Sequence, residues 1–487
     1  MLNELYRPPL ALLTDLYQLT MAYGYWKLGR DNQQAVFHLF FRKPPFNGGY
    51  AIAAGLAQAI EYMRGYRFDD SDIEYLASLT GNDDQALFDD GFLDYLSKMK
   101  LQVDVDAMPE GTLAFGSQPM LRIRGPILQC QLLETPLLNI VNFQTLIATK
   151  ASRIAASAAG EPILEFGLRR SQGIDGSLSA SRAAHIGGCA ATSNVLAGKM
   201  YGIPVKGTHA HSWVMSFDTE AESFANYADA MPNNCVFLVD TYDTIQGVRE
   251  AVKAGIQLRN RGHEMVGIRL DSGDLAYLSI EARRILDEGG FENAAIVASN
   301  DLDEHIIESL KIQGAKITVW GVGTKLATAF DQPALGGVYK LGALQDDQGN
   351  WQPKVKLSEQ LIKTSIPGTL QVRRFEKNGQ MIGDMIYDED MGVNPSLEIV
   401  DTKDPTRRKR FPSEATASDL LVPVMRDGVP TGPPEEISTI RERAINQLTR
   451  LHPTSRRLLN PHEYPVGLDV DLNRVRNEMI DAARKTS

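Results

Sequence analysis

The stretch VGIRLDSGDLAYLSIEARRILDEGGFENAAIVASND, residues 266–301, holds the pattern that decides the fold. An apolar run ends in a polar, glycine-containing corner, a helical-looking stretch follows, and a second apolar run closes the unit. The same unit recurs outward from there, between about residues 160 and 345. Its strand candidates are ILEFG (163–167), IPVKGT (203–208), VFLVDTYD (236–243), VGIRLDSGD (266–274), AAIVASND (294–301), ITVWGVGT (317–324) and GGVYKL (336–341). Strands alternating with helices predict parallel pairing through right-handed crossovers. Seven such units fit an α/β barrel, regular or broken, better than a short open sheet. Each run is apolar through its body and chemically rich at its carboxyl end, as expected of strands buried on both faces with a site above them.

The flanks have a different texture. Residues 10–29 carry Leu16, Leu19, Tyr23 and Trp26 on one helix face, with Thr14 placed to cap the start. AVFHLFFRKPP and GTLAFGSQPMLRIRGP alternate like strands, and LQVRRFEKNGQMIGDMI places Asn378 and Gly379 between two alternating runs, a type I′ hairpin signal. The expected architecture is therefore an α/β barrel over 146–345, flanked by an α+β domain built from both chain ends, 1–145 and 346–487.

Composition narrows the function classes. The 487 residues carry 50 basic and 61 acidic side chains, a net charge of −11, and 43% are hydrophobic. At about 150 residues per domain the length suggests three units or one large barrel with attachments. No window approaches the roughly 18 apolar residues of a membrane helix, and the first fifteen residues, MLNELYRPPLALLTD, predict no secretory signal. Cys130, Cys189 and Cys235 are far apart and in no CxxC pair, which argues against a disulfide framework or a zinc knuckle and fits the cytoplasm. The acidic balance speaks against nucleic-acid partners but leaves room for a local basic pocket holding a small anion. The run RRKR (407–410) reads as solvated charge on a loop.

The strand ends carry the chemistry. GTHAHSWV (207–214) sets His209 and His211 two residues apart, suited either to metal binding or to one reactive imidazole; the other histidines do not supply further strand-end ligands. IRLDSGD brings Arg269, Asp271 and Asp274 together: two acids that want a cation and a guanidinium that wants a phosphate or carboxylate, which suits a magnesium-bearing phosphorylated ligand. In VWGVGT, Gly321 and Gly323 let backbone N–H groups approach an anion beside the Thr324 hydroxyl, with packing glycines as the plain alternative. EFGLRR places the Phe166 ring beside Arg169 and Arg170, fit to stack a planar heterocycle and hold its anionic group. Asp240 and Asp243 of VDTYD suit sugar hydroxyls, and ASND (298–301) does likewise, or caps the next helix through Asn300 or Asp301.

Together these strings resemble the nicotinate phosphoribosyltransferase family over nearly the whole chain: LLTDLYQLTMAYGYW, EFGLRRSQGIDG, TSNVLAG, GIPVKGTHAHSWV, VDTYDT, GIRLDSGDL, ASNDLDE, GVGT, GGVYKL and NPHEYPVGL. The resemblance implies an irregular α/β barrel of the type II phosphoribosyltransferase kind and a homodimer with shared active sites. It implies that nicotinate and 5-phosphoribosyl 1-diphosphate give nicotinate mononucleotide and diphosphate, coupled to ATP hydrolysis with magnesium, in NAD salvage. By resemblance His211 is the phosphorylated histidine, Tyr17 contacts nicotinate in the partner subunit's site, Thr208 lies on the nicotinate side and Arg269 holds anionic groups. Likewise Thr324 meets the 5-phosphate, Phe166 and Arg169 form the ring-stacking and anion-holding pair, and Asp240 and Asp271 serve ribose and magnesium diphosphate. One string departs: relatives often have GGFDGTSN where this chain has GGCAATSN at 187–194. A nicotinamide-specific relative, a barrel metallohydrolase using the HxH pair and a non-enzymatic phospholigand-binding module are the rival expectations.

Overall fold

The computed structural model describes residues 9–358 and 364–485, so the first eight residues of the MLNELYRPPLALLTD stretch lie outside the described residues. The chain forms two compact units, one from Met1–Thr145 with Ala334–Ser487, the other from Leu146–Pro333.

The second unit is built on a six-stranded sheet. Its order is Ala191–Thr192, Ile163–Glu165, Val319–Val322, Ala295–Ala298, Gly267–Leu270, Val236–Leu238, and every pair is parallel. Ile268, Leu270, Ile296 and Ala298 are fully buried, the consequence of strands covered on both faces. Helices Thr244–Arg259, Leu275–Glu288 and Glu304–Ile312 follow three of these strands. Each starts where an aspartate side chain, Asp243, Asp274 or Asp303, accepts the helix's free N–H groups.

Two expected strands fall elsewhere. IPVKGT makes only an isolated bridge, Thr192 with Val205, so the hydrogen-bonded sheet ends at Ala191–Thr192 on one side and Val236–Leu238 on the other. Between Lys206 and Val236 the sheet is not continued by a ladder; instead the His209 ring accepts the Leu238 N–H at 3.2 Å. GGVYKL opens the strand Gly337–Gln345, which pairs antiparallel with Gln34–Phe41 in the first unit. That pairing moves the second boundary from 345 to 333. The short Ala191–Thr192 strand, inside the departing GGCAATSN string, takes the vacated place beside Ile163–Glu165.

Gly187 opens that string because helix Ile174–Gly187 packs on the backbone of helix Glu134–Ala158. A methyl at Gly187 would overlap the Ala148 carbonyl oxygen and press on the Ala151 Cβ. Gly187→Ala is therefore expected to destabilise the protein by about 1–3 kcal/mol, read as a lowered urea midpoint with an unchanged slope.

The first unit holds two larger sheets drawn from both chain ends. One runs Trp351–Pro353, Gly337–Gln345, Gln34–Phe41, Leu121–Pro126, Asp104–Ala107, Val422–Arg426, Val429–Pro430. The other runs Arg408–Arg410, Glu398–Asp401, Val466–Asp469, Gln380–Asp388, Leu370–Lys377, Thr416–Asp419. Asn378 and Gly379 have φ of 51° and 74°, the paired positive values a type I′ turn requires. The first helix spans Leu16–Lys27 and begins after Asp15, not Thr14, whose hydroxyl is buried without a partner. Of the expected face Leu19 is buried, and Tyr23 and Trp26 pack on Phe92, but Leu16 is exposed. RRKR contributes to an edge strand rather than a loop.

Candidate active site

The carboxyl ends of the parallel strands converge on Arg269. It leaves strand Gly267–Leu270 with its three nitrogens all engaged: Nε donates to Ser299 Oγ at 2.8 Å, Nη1 to Thr208 Oγ1 at 3.0 Å, and Nη2 to Asp271 Oδ1 at 2.8 Å. One guanidinium thus ties the ends of two neighbouring strands and the 203–208 segment into a fixed cluster. Its charge lies 5.8 Å from the centre of the Phe166 ring, a cation–π distance.

Asp271 is surrounded by donors. Burial alone would raise its carboxyl, but the Ser299 hydroxyl, the Arg269 guanidinium and the His211 ring hold it below the usual aspartate range. Asp240 does a different task from the one expected. Its side chain is wholly buried, and Oδ2 accepts from the Asp271 N–H and the Ser272 hydroxyl, both at 2.8 Å. It therefore shapes the LDSGD corner and does not reach out to a sugar. Its other oxygen, Oδ1, has no hydrogen-bond partner and lies 4.0 Å from His211 Nε2.

His211 opens the short helix His211–Met215 and is the reachable histidine of the HxH pair, its side chain 38% exposed. Nδ1 is 3.0 Å from the Thr241 hydroxyl, and Nε2 is 3.8 Å from Asp271 Oδ2. The ring is thus anchored on one nitrogen, with the other presented between two carboxylates. His209 is the opposite case. It is buried against Tyr227, its Nε2 accepts the Leu238 N–H, and burial, helped by the charges of Arg269 and His211, pushes its pKa down to about 4. The lone pair a metal would need is already in use, so the pair does not form the HxH metal site of the rival reading.

The remaining expectations divide. The Gly321 position is closed by packing: a Cβ there would meet the Phe166 ring at 2.8 Å. Its role is to make room for the aromatic ring and not to approach an anion. Gly323 precedes the one-turn helix Thr324–Ala327, and Thr324 stands at its first position with its N–H groups at the strand end. Lys325 donates to Asp303 Oδ2 at 2.6 Å, joining this turn to the 298–303 corner. Arg169 and Arg170 sit exposed on the turn Leu168–Arg170 and pair with no acid among the described residues. Asp243 and Asp274 are helix caps; Asp274 Oδ1 takes the Ala276 and Tyr277 N–H groups, both at 3.1 Å. The helix after ASND is capped by Asp303, while Asn300 and Asp301 adopt φ of 99° and 38°, strained conformations of the kind held at working sites. Tyr17 belongs to the first unit and is 48% exposed.

Three members were not anticipated: Thr241, Ser299 and Glu165. Glu165 is buried below Phe166 and collects the Gly167 N–H, the Ser181 hydroxyl at 2.8 Å and the Thr192 hydroxyl at 2.6 Å. It thereby fixes the corner that carries Phe166 and Arg169. Because all three partners donate, Glu165→Gln would turn an amide N–H₂ toward donors. The expected cost is about 1–3 kcal/mol of stability, with a fall in kcat/KM for the aromatic acceptor, measured by urea unfolding and steady-state kinetics.

Known proteins show the same organisation. Residues 12–142, 162–380 and 371–476 match, respectively, the nicotinate phosphoribosyltransferase (NAPRTase) N-terminal domain, the nicotinate phosphoribosyltransferase (NAPRTase) family and the nicotinate phosphoribosyltransferase C-terminal domain. The nicotinate phosphoribosyltransferase of Bacillus subtilis (strain 168) is 45% identical, the match covering 95% of this chain and 93% of that protein. The enzyme of that name from Homo sapiens is 35% identical, with 96% of each chain covered. The crystal structure of human nicotinic acid phosphoribosyltransferase superposes with a TM-score of 0.83 at 33% identity, covering 96% of this chain and 99% of that one. The chain belongs to the nicotinate phosphoribosyltransferase family.

Proposed function

We propose that this protein transfers the phosphoribosyl group of 5-phosphoribosyl 1-diphosphate to nicotinate, giving nicotinate mononucleotide and diphosphate, coupled to ATP hydrolysis through a phosphohistidine at His211, in NAD biosynthesis by salvage. The observation that carries the reading is the Arg269 cluster: a fixed cation beside an ionised Asp271, an aromatic face on Phe166 and a histidine whose Nε2 is presented to the same space. The six-stranded parallel sheet is then the family's irregular barrel, open between the 203–208 segment and Val236–Leu238.

In this reading the pyridine nitrogen attacks the ribosyl C1 with inversion as the diphosphate departs, through an oxocarbenium-like state. The protein's contribution is positioning and charge. Phe166 stacks the ring, Arg169 or Arg170 takes the nicotinate carboxylate, and Arg269 faces the departing anion from a site that needs no rearrangement. Thr324 and the Gly323 backbone meet the 5-phosphate. Asp271, ionised and still 29% exposed, fits a magnesium ion, and Asp274 retains one oxygen for it. Magnesium bound there would supply neutralisation of the diphosphate.

A homodimer accords with the exposure of Leu13, Leu16, Tyr17 and Met21 on and beside the first helix, an apolar strip from which Tyr17 reaches a partner's site. Three free, buried thiols accord with a cytoplasmic protein, and no helix among the described residues is long and apolar enough to cross a membrane.

Incubating the protein with 5-phosphoribosyl 1-diphosphate and magnesium, with nicotinate or nicotinamide and with or without ATP, tests the reading. Mononucleotide is expected from nicotinate, faster with ATP, and not from nicotinamide. No product from nicotinate under any condition would overturn it. Arg169→Ala is expected to raise the nicotinate KM on the order of 10–100-fold, the worth of one charge-assisted hydrogen bond, while kcat changes less.

A further inference from the structure

Helix Glu134–Ala158 carries two buried cations, Lys150 and Arg153, and both meet the carboxylate of Glu304, which is itself fully buried. Lys150 Nζ is 2.6 Å from Glu304 Oε2, and Arg153 Nε donates to Glu304 Oε1 at 2.7 Å. Lys150 also donates to Asp331 Oδ2, on a part-exposed side chain.

A second pair stands beside this one. Asp303, the neighbour of Glu304, caps helix Glu304–Ile312 through Oδ1 and takes Lys325 Nζ on Oδ2 at 2.6 Å. Burial alone would raise the Asp303 carboxyl, but Lys325, the Ile306 N–H and the charge of Lys150 hold it below the usual aspartate range. Lys150 therefore acts on both neighbouring acids, and the six charges, three of each sign, form one connected set.

Stability does not account for such a set, because apolar groups of similar volume in place of a buried ion pair are often as stable or more so. What paired charges supply is geometry, since each fixes where its partner can stand. Here they fix the two ends of one segment. Lys325 follows Thr324 in the one-turn helix Thr324–Ala327, and Asp331 ends the turn 328–331 behind it. Segment 324–331 is thus held at its start by Asp303 directly and at its end by Glu304 through Lys150. Between these points the chain is irregular: Ala329 has φ of 46°, and the Thr328 hydroxyl donates to the Thr324 carbonyl at 2.7 Å. The same two acids follow closely on Asn300 and Asp301, whose strained conformations persist only where the surroundings over-determine them.

We propose that Lys150 is a positioning residue for the sugar substrate: through Asp331 on one side and Glu304 on the other, it holds the Thr324 turn in the shape that receives the 5-phosphate. This rests on the reading that Thr324 and the Gly323 backbone meet that phosphate. Being fully buried, Lys150 acts only through the acids it holds.

The test compares Lys150→Met and Asp331→Asn with the unaltered full chain, by steady-state kinetics and by calorimetry with ribose 5-phosphate and inorganic diphosphate as separate probes. Methionine keeps most of the lysine stem and removes the charge. Lys150→Met is expected to raise the KM for 5-phosphoribosyl 1-diphosphate and the Kd for ribose 5-phosphate about 10–100-fold, the effect of a small misplacement passed on from a distance. The kcat, the nicotinate KM, the diphosphate Kd and the phosphoryl label taken from ATP should stay within about threefold, whereas a general loosening of the fold would move them all. Asp331→Asn should act in the same direction by about 3–10-fold, because the amide keeps an oxygen for Lys150 and loses only the charge. The double variant should bind ribose 5-phosphate no more weakly than Lys150→Met, since both changes open the same clamp.

Unchanged ribose 5-phosphate binding, equal weakening of every ligand, or additive single and double effects would each overturn the proposal. If Lys150→Met does not fold, Asp331→Asn decides alone, and an unchanged ribose 5-phosphate Kd in that variant overturns it. The unaltered chain separates this from failure of the parent reading. No mononucleotide from that chain sinks both, whereas an active chain with indifferent variants sinks only the role of Lys150.

Discussion

His211→Asn is expected to abolish the coupling of ATP hydrolysis to mononucleotide formation, while the protein remains folded and a slow, ATP-independent transfer persists. The asparagine amide can keep a hydrogen bond to the Thr241 hydroxyl that His211 Nδ1 now meets at 3.0 Å, so the loop need not move. What disappears is Nε2. In the proposed step its lone pair forms the N–P bond as the terminal phosphoryl group leaves ATP, and ADP carries away the other electron pair. The imidazole becomes cationic as that bond forms, and the carboxylates of Asp271 and Asp240, 3.8 and 4.0 Å from Nε2, stabilise that charge where it develops. The loss should be about 10²–10⁴-fold in nicotinate-dependent ATP consumption, the range for removing a positioned catalytic imidazole. The acid-labile phosphoryl label on the protein should vanish with it. Thr241→Val, which removes only the anchor, should lower the coupled rate less, and without abolishing the label. An asparagine variant with the original ratio of ATP consumed to product would refute the assignment.

The contrast between these residues shows how far sequence reading reaches. EFGLRR and IRLDSGD announce a site because a strand buried on both faces has no reason to end in arginines and acids unless that end is used. The same logic does not show that Asp243 and Asp274 also cap helices, since an aspartate just before a helix serves equally as cap or ligand, and the cap is visible only in the folded backbone. Ser299 and Thr241 were not visible because a hydroxyl has no charge to announce it, and their aim is set by corners in unusual conformations, such as Asn300 at φ 99°. GGVYKL has the composition of a barrel strand, yet it pairs with Gln34–Phe41, nearly 300 residues away in sequence. Nothing local encodes a pairing of that range. Glu165 looked like part of a strand body, and its meaning lies in Ser181 and Thr192, which reach it from two later elements.

The largest effect on stability is expected far from any strand end of the parallel sheet, at Arg374. This side chain is buried inside the first unit, directly across the hairpin from Asp384, which is itself fully buried. The two form a bidentate pair, Nε to Oδ1 at 3.0 Å and Nη2 to Oδ2 at 2.7 Å. Arg374 also donates to Gln447 Oε1 at 3.0 Å and the Leu113 carbonyl at 2.7 Å, and Asp384 also accepts from Tyr464 and Gln118 at 2.8 and 2.7 Å. One ion pair thus joins the hairpin, helix Ile437–Arg450, strand Leu113–Ala114 and the NPHEYPVGL segment, which come from opposite ends of the chain. Arg374→Ala strands the Asp384 carboxylate in a dry interior, and the expected cost is about 3–5 kcal/mol, read as a shift of the urea midpoint for this unit. Lysine should rescue little, because it cannot reproduce the planar fork that meets three acceptors at once. Removing the stranded charge as well, in Arg374→Met/Asp384→Leu, should destabilise less than the sum of the two single changes, because neither charge is then left alone. Additive single and double effects would mean that the pair does not act as a unit and that the cost comes from lost packing around Phe115, whose ring lies 5.5 Å from the guanidinium.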